Sequence, residues 1–328
     1  MCKIYIPELA MHDIINVLMF KIANQKPKRI IMKFNRQLAL SLLVITSFYA
    51  KAQIDADKLE KELLDSLYIL EIEKATSVPK VLHAEPLYID LIRDLGARKG
   101  ENEWNVGVGM MDKKRYDEFT ALIEYEWAPI DRLGLEVELP FSLYYPHNNG
   151  ERIVGNDTLR PSSRLNSLKL AAQWSFYVSE KYSTTLALGY LHEFEMVDFN
   201  HYGRNRLHRG NIYNPFFIAA KRWADNFHTL VYAGPFIEQY FTTTGYHITQ
   251  QINSNFHYMI PGTRNFVGIE INKEWEPGDF DMTIRPQMRV SLADNLMVGV
   301  VIGIPAFRES ERFSSFIRLI YEPRHKHK

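Results

Sequence analysis

From Trp104 onward the chain repeats with a period of two residues, and this period narrows the fold more than any other feature. Trp104, Val106, Val108 and Met110 alternate with Asn105, Gly107 and Gly109. Phe119, Ala121, Ile123, Tyr125 and Trp127 alternate with Thr120, Leu122, Glu124 and Glu126. Leu133, Leu135, Val137, Leu139 and Phe141 alternate with Gly134, Glu136 and Glu138, and Leu168–Val178 turns its apolar positions away from Lys169, Gln173 and Ser175. Successive side chains of a strand point to opposite faces, so each run has one apolar face and one that is polar or small. Runs of about ten residues with this dyad suit transmembrane β-strands, apolar outward and polar toward a lumen. A soluble sandwich or lipocalin-like barrel also alternates, but its strands are typically about five or six residues long.

Thr184–Glu195, Asn214–Trp223, Phe227–Tyr240, Gly262–Trp275, Asp281–Leu292, Leu296–Ile304 and Arg312–Tyr321 continue the series, giving eleven evident strands. Single-chain bacterial barrels use an even number. The missing strand is Tyr246–Ile260: Tyr246, Ile248, Ile252, Phe256, Tyr258 and Ile260 share one parity, and polar residues fill the other. With twelve strands, Ala128–Asp131, Ser179–Ser183, Ala224–Asn226, Pro261–Thr263 and Ala293–Asn295 become short periplasmic turns. The long segments Tyr144–Leu165 and Met196–Tyr213 fall on the outer side, as in known barrels. The predicted fold is therefore all-β, a closed antiparallel up-and-down transmembrane barrel spanning 103–321. Hydrocarbon leaves no alternative for strands, because every backbone N–H and C=O must be paired within the protein.

Tyr125, Trp127, Phe141, Tyr144, Tyr145, Trp174, Trp223, Trp275 and Tyr321 lie near predicted strand ends, where amphipathic rings sit at the headgroup level. The last strand, FIRLIY, resembles the terminal signal read by barrel insertion machinery, although the basic tail 322–328 follows it. Met32 opens a secretory signal: Lys33 and Arg36, the apolar Leu38–Tyr49, then Ala50-Lys51-Ala52 before Gln53. Residues 32–52 are accordingly expected to be a signal peptide, and residues 1–31 an upstream extension from a misassigned start. The sole cysteine, Cys2, precedes that segment, so the remaining chain has no disulfide or thiolate chemistry. Lys plus Arg and Asp plus Glu are 39 each, which gives no global field to recruit nucleic acid. The expected location is the outer membrane of a Gram-negative bacterium, with outer-membrane lipid around the barrel.

Residues 53–102 form a periplasmic helical extension in this reading. Leu59, Leu63, Leu67 and Leu70 recur at helical spacing within Asp57–Lys74. The stretch VLHAEPLYIDLIRDLGARKGENEW (Val81–Trp104) follows. Pro86 disfavours helix at Glu85, and Leu87, Leu91 and Leu95 place a one-face-apolar helix from near Leu87, ended by Gly96 or Gly100. His83, Glu85, Tyr88, Asp90, Arg93 and Asp94 are the polar and aromatic candidates of a plug or docked helix at the periplasmic mouth. His83, Glu85 and Asp90 do not have the ligand set of a zinc site, so no metal or cofactor is expected. Docking of a periplasmic partner through the N-terminal helix is the alternative role.

His83-Ala84-Glu85-Pro86-Leu87-Tyr88-Ile89-Asp90 is the string that names the HAEPLYID family of bacterial proteins, and the chain resembles that family. The resemblance implies an exported protein of this length. It supplies no activity, substrate or site.

The inward parity holds the remaining candidates. Glu124, Glu126, Glu136 and Glu138 fall on two neighbouring strands, Glu193 and Glu195 on another, and Glu270 and Glu274 on a fourth. Arg285 and Arg289 share a strand, and Arg318 lies on the last. Such charges either pair across a narrow lumen or line a polar conduit that biases which solute passes. Hence the expected function is an outer-membrane channel or transporter for small solutes, and not an enzyme. A structural or partner-docking barrel is one alternative. A lipid hydrolase is the other, although no local motif joins Ser, His and an acid.

Overall fold

The computed structural model describes residues 63–70, 73, 78–89, 95–146, 161–203, 206–307 and 311–323. The expected signal peptide, the extension before it, Asp90, Arg93, Asp94 and tail residues 324–328 lie outside the described residues. Within them, no helix is long and apolar enough to cross a membrane.

The strands are β1 (Asn102–Lys113), β2 (Tyr116–Ile130), β3 (Leu133–Pro146), β4 (Arg164–Leu165), β5 (Ser167–Ser179), β6 (Thr184–Met196), β7 (His208–Arg222), β8 (Phe227–Tyr240), β9 (His247–Met259), β10 (Phe266–Glu276), β11 (Asp279–Ala293), β12 (Leu296–Pro305) and β13 (Glu311–Tyr321). Strands β4 and β5 are separated only by Asn166 and both pair with β3, so they form one stave, and the sheet has twelve. Each stave is antiparallel to its neighbours in chain order, and β1 pairs with both β2 and β13, from Trp104↔Tyr321 to Lys113↔Glu311. This ladder closes the barrel and leaves no edge. The fold is the predicted closed, up-and-down transmembrane barrel. The polar-looking Tyr246–Ile260 segment supplies β9, with Ile248, Ile252, Phe256 and Tyr258 outward and Asn253, Asn255 and His257 buried inward.

Both barrel termini lie at the end of the short turns at 131–132, 180–183, 223–226, 260–265 and 294–295, which is the periplasmic end in bacterial barrels. Two outer connections, at 114–115 and 277–278, are also only two residues long, and Gly278 takes a positive φ of 88° in the second.

The burial pattern inverts that of a soluble domain. Val106, Val108, Ile123, Trp174, Leu188 and Trp223 are exposed on the outer wall, whereas Glu124, Glu126, Glu136, Glu138 and Glu270 are buried inside. Tyr144 departs from the expected aromatic belt. It has the inward parity of β3 and is buried, with Tyr116 edge-on against it at 5.6 Å. After the last strand, Glu322 is held by Arg264 at 2.7 Å and donates its backbone N–H to Asn295 O at 3.0 Å.

Candidate functional site

The HAEPLYID stretch is not a helix at the barrel mouth. Residues 81–86 have no regular secondary structure and 87–89 form a bend, so no helix opens at Leu87; residues 90–94 lie outside the described residues. Val81, His83, Ala84, Leu87 and Ile89 are all buried, within the lumen, and the segment crosses from one wall to the other. The physical reason is the demand of its backbone. An extended segment inside a barrel has no strand to pair with, and buried N–H groups must find acceptors, here on inward side chains. Ala84 N–H donates to His228 Nδ1 at 3.0 Å and Leu87 N–H to Gln287 Oε1 at 2.8 Å. The N–H groups of Tyr88 and Ile89 donate to Glu270, and Gly96 N–H donates to Ser175 Oγ at 3.0 Å. His83 Nε2 lies 2.9 Å from Thr185 Oγ1.

Apolar packing completes the plug. Leu87 sits against Gly299, where a Cβ would come within 2.6 Å of it, in a cluster with Ala84, Met259, Phe266, Met297 and Phe316. Ile89 and Leu95 join a separate cluster with Leu191, Phe216, Ile218 and Leu230. Thus Leu87 and Leu95, expected on one helix face, belong to opposite sides of the lumen. Where the segment enters and returns, Lys80 bonds Glu101 at 3.1 Å, and Arg98 donates to the carbonyl of Glu73. Glu73 also pairs with Arg222 at 2.9 Å.

The predicted lumen carboxylates form rows fixed by strand register. One row runs Asn105–Glu124–Glu138–Lys169 across β1, β2, β3 and β5, and the next runs Glu103–Glu126–Glu136. Like charges opposed across a ladder repel, and the wall supplies compensation. Lys169 pairs with Glu138 at 2.9 Å, Arg318 reaches Glu124 at 3.6 Å, and Asn105 Nδ2 donates to Glu103, Glu124 and Glu126 at 2.6–3.1 Å. These pairs run along one wall and not across the lumen. Glu195 is held by Arg209 Nε at 2.8 Å, and Glu193 accepts from Ser167 Oγ at 2.6 Å. The arginines of β11 serve the plug side. Arg285 donates to Asn272 Oδ1 and Ser314 Oγ, while Arg289 lies over the Phe266 ring and donates to the Arg264 carbonyl. Glu274 is exposed and accepts from Gln251 Nε2 at 3.3 Å.

Above the plug, toward the outer end, the barrel holds a cavity of 460 Å³. Its floor is Tyr88, Ile89 and Phe316, and its walls carry Lys169, Glu138, Arg318, Arg285, Glu274 and Asp281 together with the amides Gln251, Asn253 and Asn272. Among the residues that build this site without having been predicted candidates are Glu103, Asn105, Lys169, His228, His257 and Gln287. Each lies on the inward parity of its strand, which is the signal that locates it.

The fold is similar to that of the COG4313 outer membrane channel from Pseudomonas putida F1, with a TM-score of 0.57 and 12% identity over 72% of this chain and 100% of that chain. The KdgM porin matches with a TM-score of 0.45 and 12% identity, over 67% of this chain and 99% of that one. Among curated protein sequences none matches this chain. The model of the HAEPLYID-like family matches residues 79–322, from the start of the plug to the end of the last strand. That match covers most of the chain, and the protein belongs to the HAEPLYID-like family.

Proposed function

We propose that this protein is an outer-membrane channel for small polar solutes in a Gram-negative bacterium, with the described residues 80–89 and 95–97 in its lumen as a resident plug. The observation that carries the reading is the 460 Å³ polar cavity inside a barrel whose outer wall is apolar, floored by the HAEPLYID segment. Solute would enter from the outer end, meet a wall of fixed charges and amides, and pass only when the floor moves. Planar-bilayer recording tests this. The intact protein should conduct weakly, and a variant with residues 83–89 replaced by a Gly/Ser stretch of equal length should show stepwise conductance. A correctly inserted variant that stays silent overturns the reading.

One observation favours partner docking as a second role. Helical residues 63–70 turn Leu63, Leu64, Leu67 and Leu70 outward while Asp65 is buried against the periplasmic turns, bonded to Asn226 Nδ2 and Gly262 N. A periplasmic protein with a complementary apolar groove would cover those leucines. Replacing all four by Ser should abolish co-purification of such a protein while leaving insertion intact; unchanged co-purification rules the role out.

A further inference from the structure

Two buried imidazoles hold the plug, and the bonding around each fixes its protonation state. His228 Nδ1 accepts from Ala84 N–H, while its Nε2 faces the carbonyl of Asp225 at 3.3 Å and so carries the proton. The second ring is read through an amide. Leu87 N–H donates to Gln287 Oε1, which orients that amide, and Gln287 Nε2 then lies 3.0 Å from His257 Nε2. An amide nitrogen has no acceptor capacity, so His257 Nε2 must be the unprotonated nitrogen. Both rings are neutral, and both act as acceptors toward the plug or toward the side chain that grips it.

We propose that His228 and His257 form a protonation-sensitive latch that holds His83–Ile89 in the lumen only while both rings are neutral. A proton on His228 Nδ1 turns it into a donor facing the Ala84 N–H. A proton on His257 Nε2 sets it against Gln287 Nε2, and rotating the amide would aim its NH₂ at the Leu87 N–H instead. Either change converts a hydrogen bond between plug and wall into a donor–donor contact. The two rings are cross-strand partners on β8 and β9, so both contacts fail in one place.

The groups facing the pair reinforce this response. His83 of the plug stands edge-on to His228 with ring centroids 6.4 Å apart. The guanidiniums of Arg222 on β7 and Arg289 on β11 act on His228, and Arg289 and His228 act on His257. Arg222 is paired with Glu73. On the His257 side, Glu270 lies 3.4 Å from Gln287 Nε2 and already accepts from the plug backbone and from Asn272. Two new imidazolium charges would thus appear beside two arginines.

The proposal rests on the channel reading for its consequence, and a readout of plug position separates the two. A nitroxide on Glu85→Cys, in a Cys2→Ser background, reports mobility of the segment. It should be immobile near pH 7 and mobile near about pH 4, with the open fraction rising about tenfold or more. His228→Asn combined with His257→Gln keeps an acceptor oxygen at each place but cannot take up a proton there, and should stay immobile at both pH values. A label unmoved by acid in the parent, or moved equally in the double variant, overturns the latch. In bilayers, a Leu87→Cys/Gly299→Cys disulfide should block acid-induced conductance until it is reduced; conductance that ignores the disulfide also overturns it. Label release without conductance supports the latch and overturns the channel reading instead.

Discussion

The guanidinium of Arg285 lies over the ring of Tyr88, 3.5 Å from its centroid, and so joins the HAEPLYID segment to the β11 wall at the floor of the cavity. Phe316 meets the same ring edge-on at 6.1 Å. A desolvated cation–π contact of this kind contributes about 0.5–2 kcal/mol. Tyr88→Leu should loosen the plug and release the Arg285 charge into the cavity. The expected result is higher basal conductance with a reversal potential shifted toward anions. Arg285→Gln should raise conductance without the anion shift, and identical shifts in both variants would show that the stack does not set the charge of the floor.

Glu274 and Asp281 oppose each other across β10 and β11 on the cavity wall, and no described Lys, Arg or His lies within salt-bridge distance of either. Lys169, Lys113 and Arg318 are already committed to Glu138, Glu311 and Glu124. Arg285 on the same wall bonds the neutral Asn272 and Ser314 and offsets one of these two charges, so the field left there is negative and the open form should prefer cations. Glu274→Gln with Asp281→Asn should lower the cation-to-anion permeability ratio several-fold, most strongly at low salt, where screening lengths are long.

Lys169 is the ammonium that stabilises a row of buried carboxylates. Lys169→Met removes the charge 2.9 Å from Glu138 and leaves Glu124 opposite it. Breaking one partner of a buried ion pair typically costs about 3–5 kcal/mol. The midpoint of heat-modifiable gel migration should fall clearly, and adding Glu138→Gln should recover part of the loss. No fall would mean that the row is stabilised in another way.

Gly299 is the hollow that receives Leu87. A Val there would push a Cβ to within 2.6 Å of the Leu87 side chain, an overpacking that commonly costs about 1–3 kcal/mol. Because the plug can yield where the barrel ladder cannot, Gly299→Val should raise basal conductance more than it lowers barrel stability. Leu87→Ala in the same protein should restore closure, and additive effects of the two changes would deny their contact.

The barrel was legible in the sequence because strand alternation is local information. Asn253, Asn255 and His257 against Ile252, Phe256 and Tyr258 suffice to place β9, without knowing what it pairs with. The acidic faces of β2 and β3 were legible for the same reason. Their partners were not, since Lys169 meets Glu138 only through the register of β3 with β5. Tyr144 has the chemistry of the aromatic belt, but its parity with Glu136 and Glu138 turns it inward. The path of the plug was the least legible part. The leucine spacing of Leu87, Leu91 and Leu95 suggested a helix, but the acceptors for Ala84 and Leu87 lie 144 and 200 residues away, at His228 and Gln287. Nothing periodic within the segment encodes such partners.

The plug enters and returns by the same mouth, with Lys80 tied to Glu101 and Arg98 to Glu73 at that rim. It is a loop pushed into a cylinder and not a thread drawn through it. It could withdraw toward the periplasm without opening the seam between Trp104 and Tyr321 and without breaking any rung of the sheet, so the work of clearing the passage is confined to the side-chain bonds and apolar contacts that hold the loop.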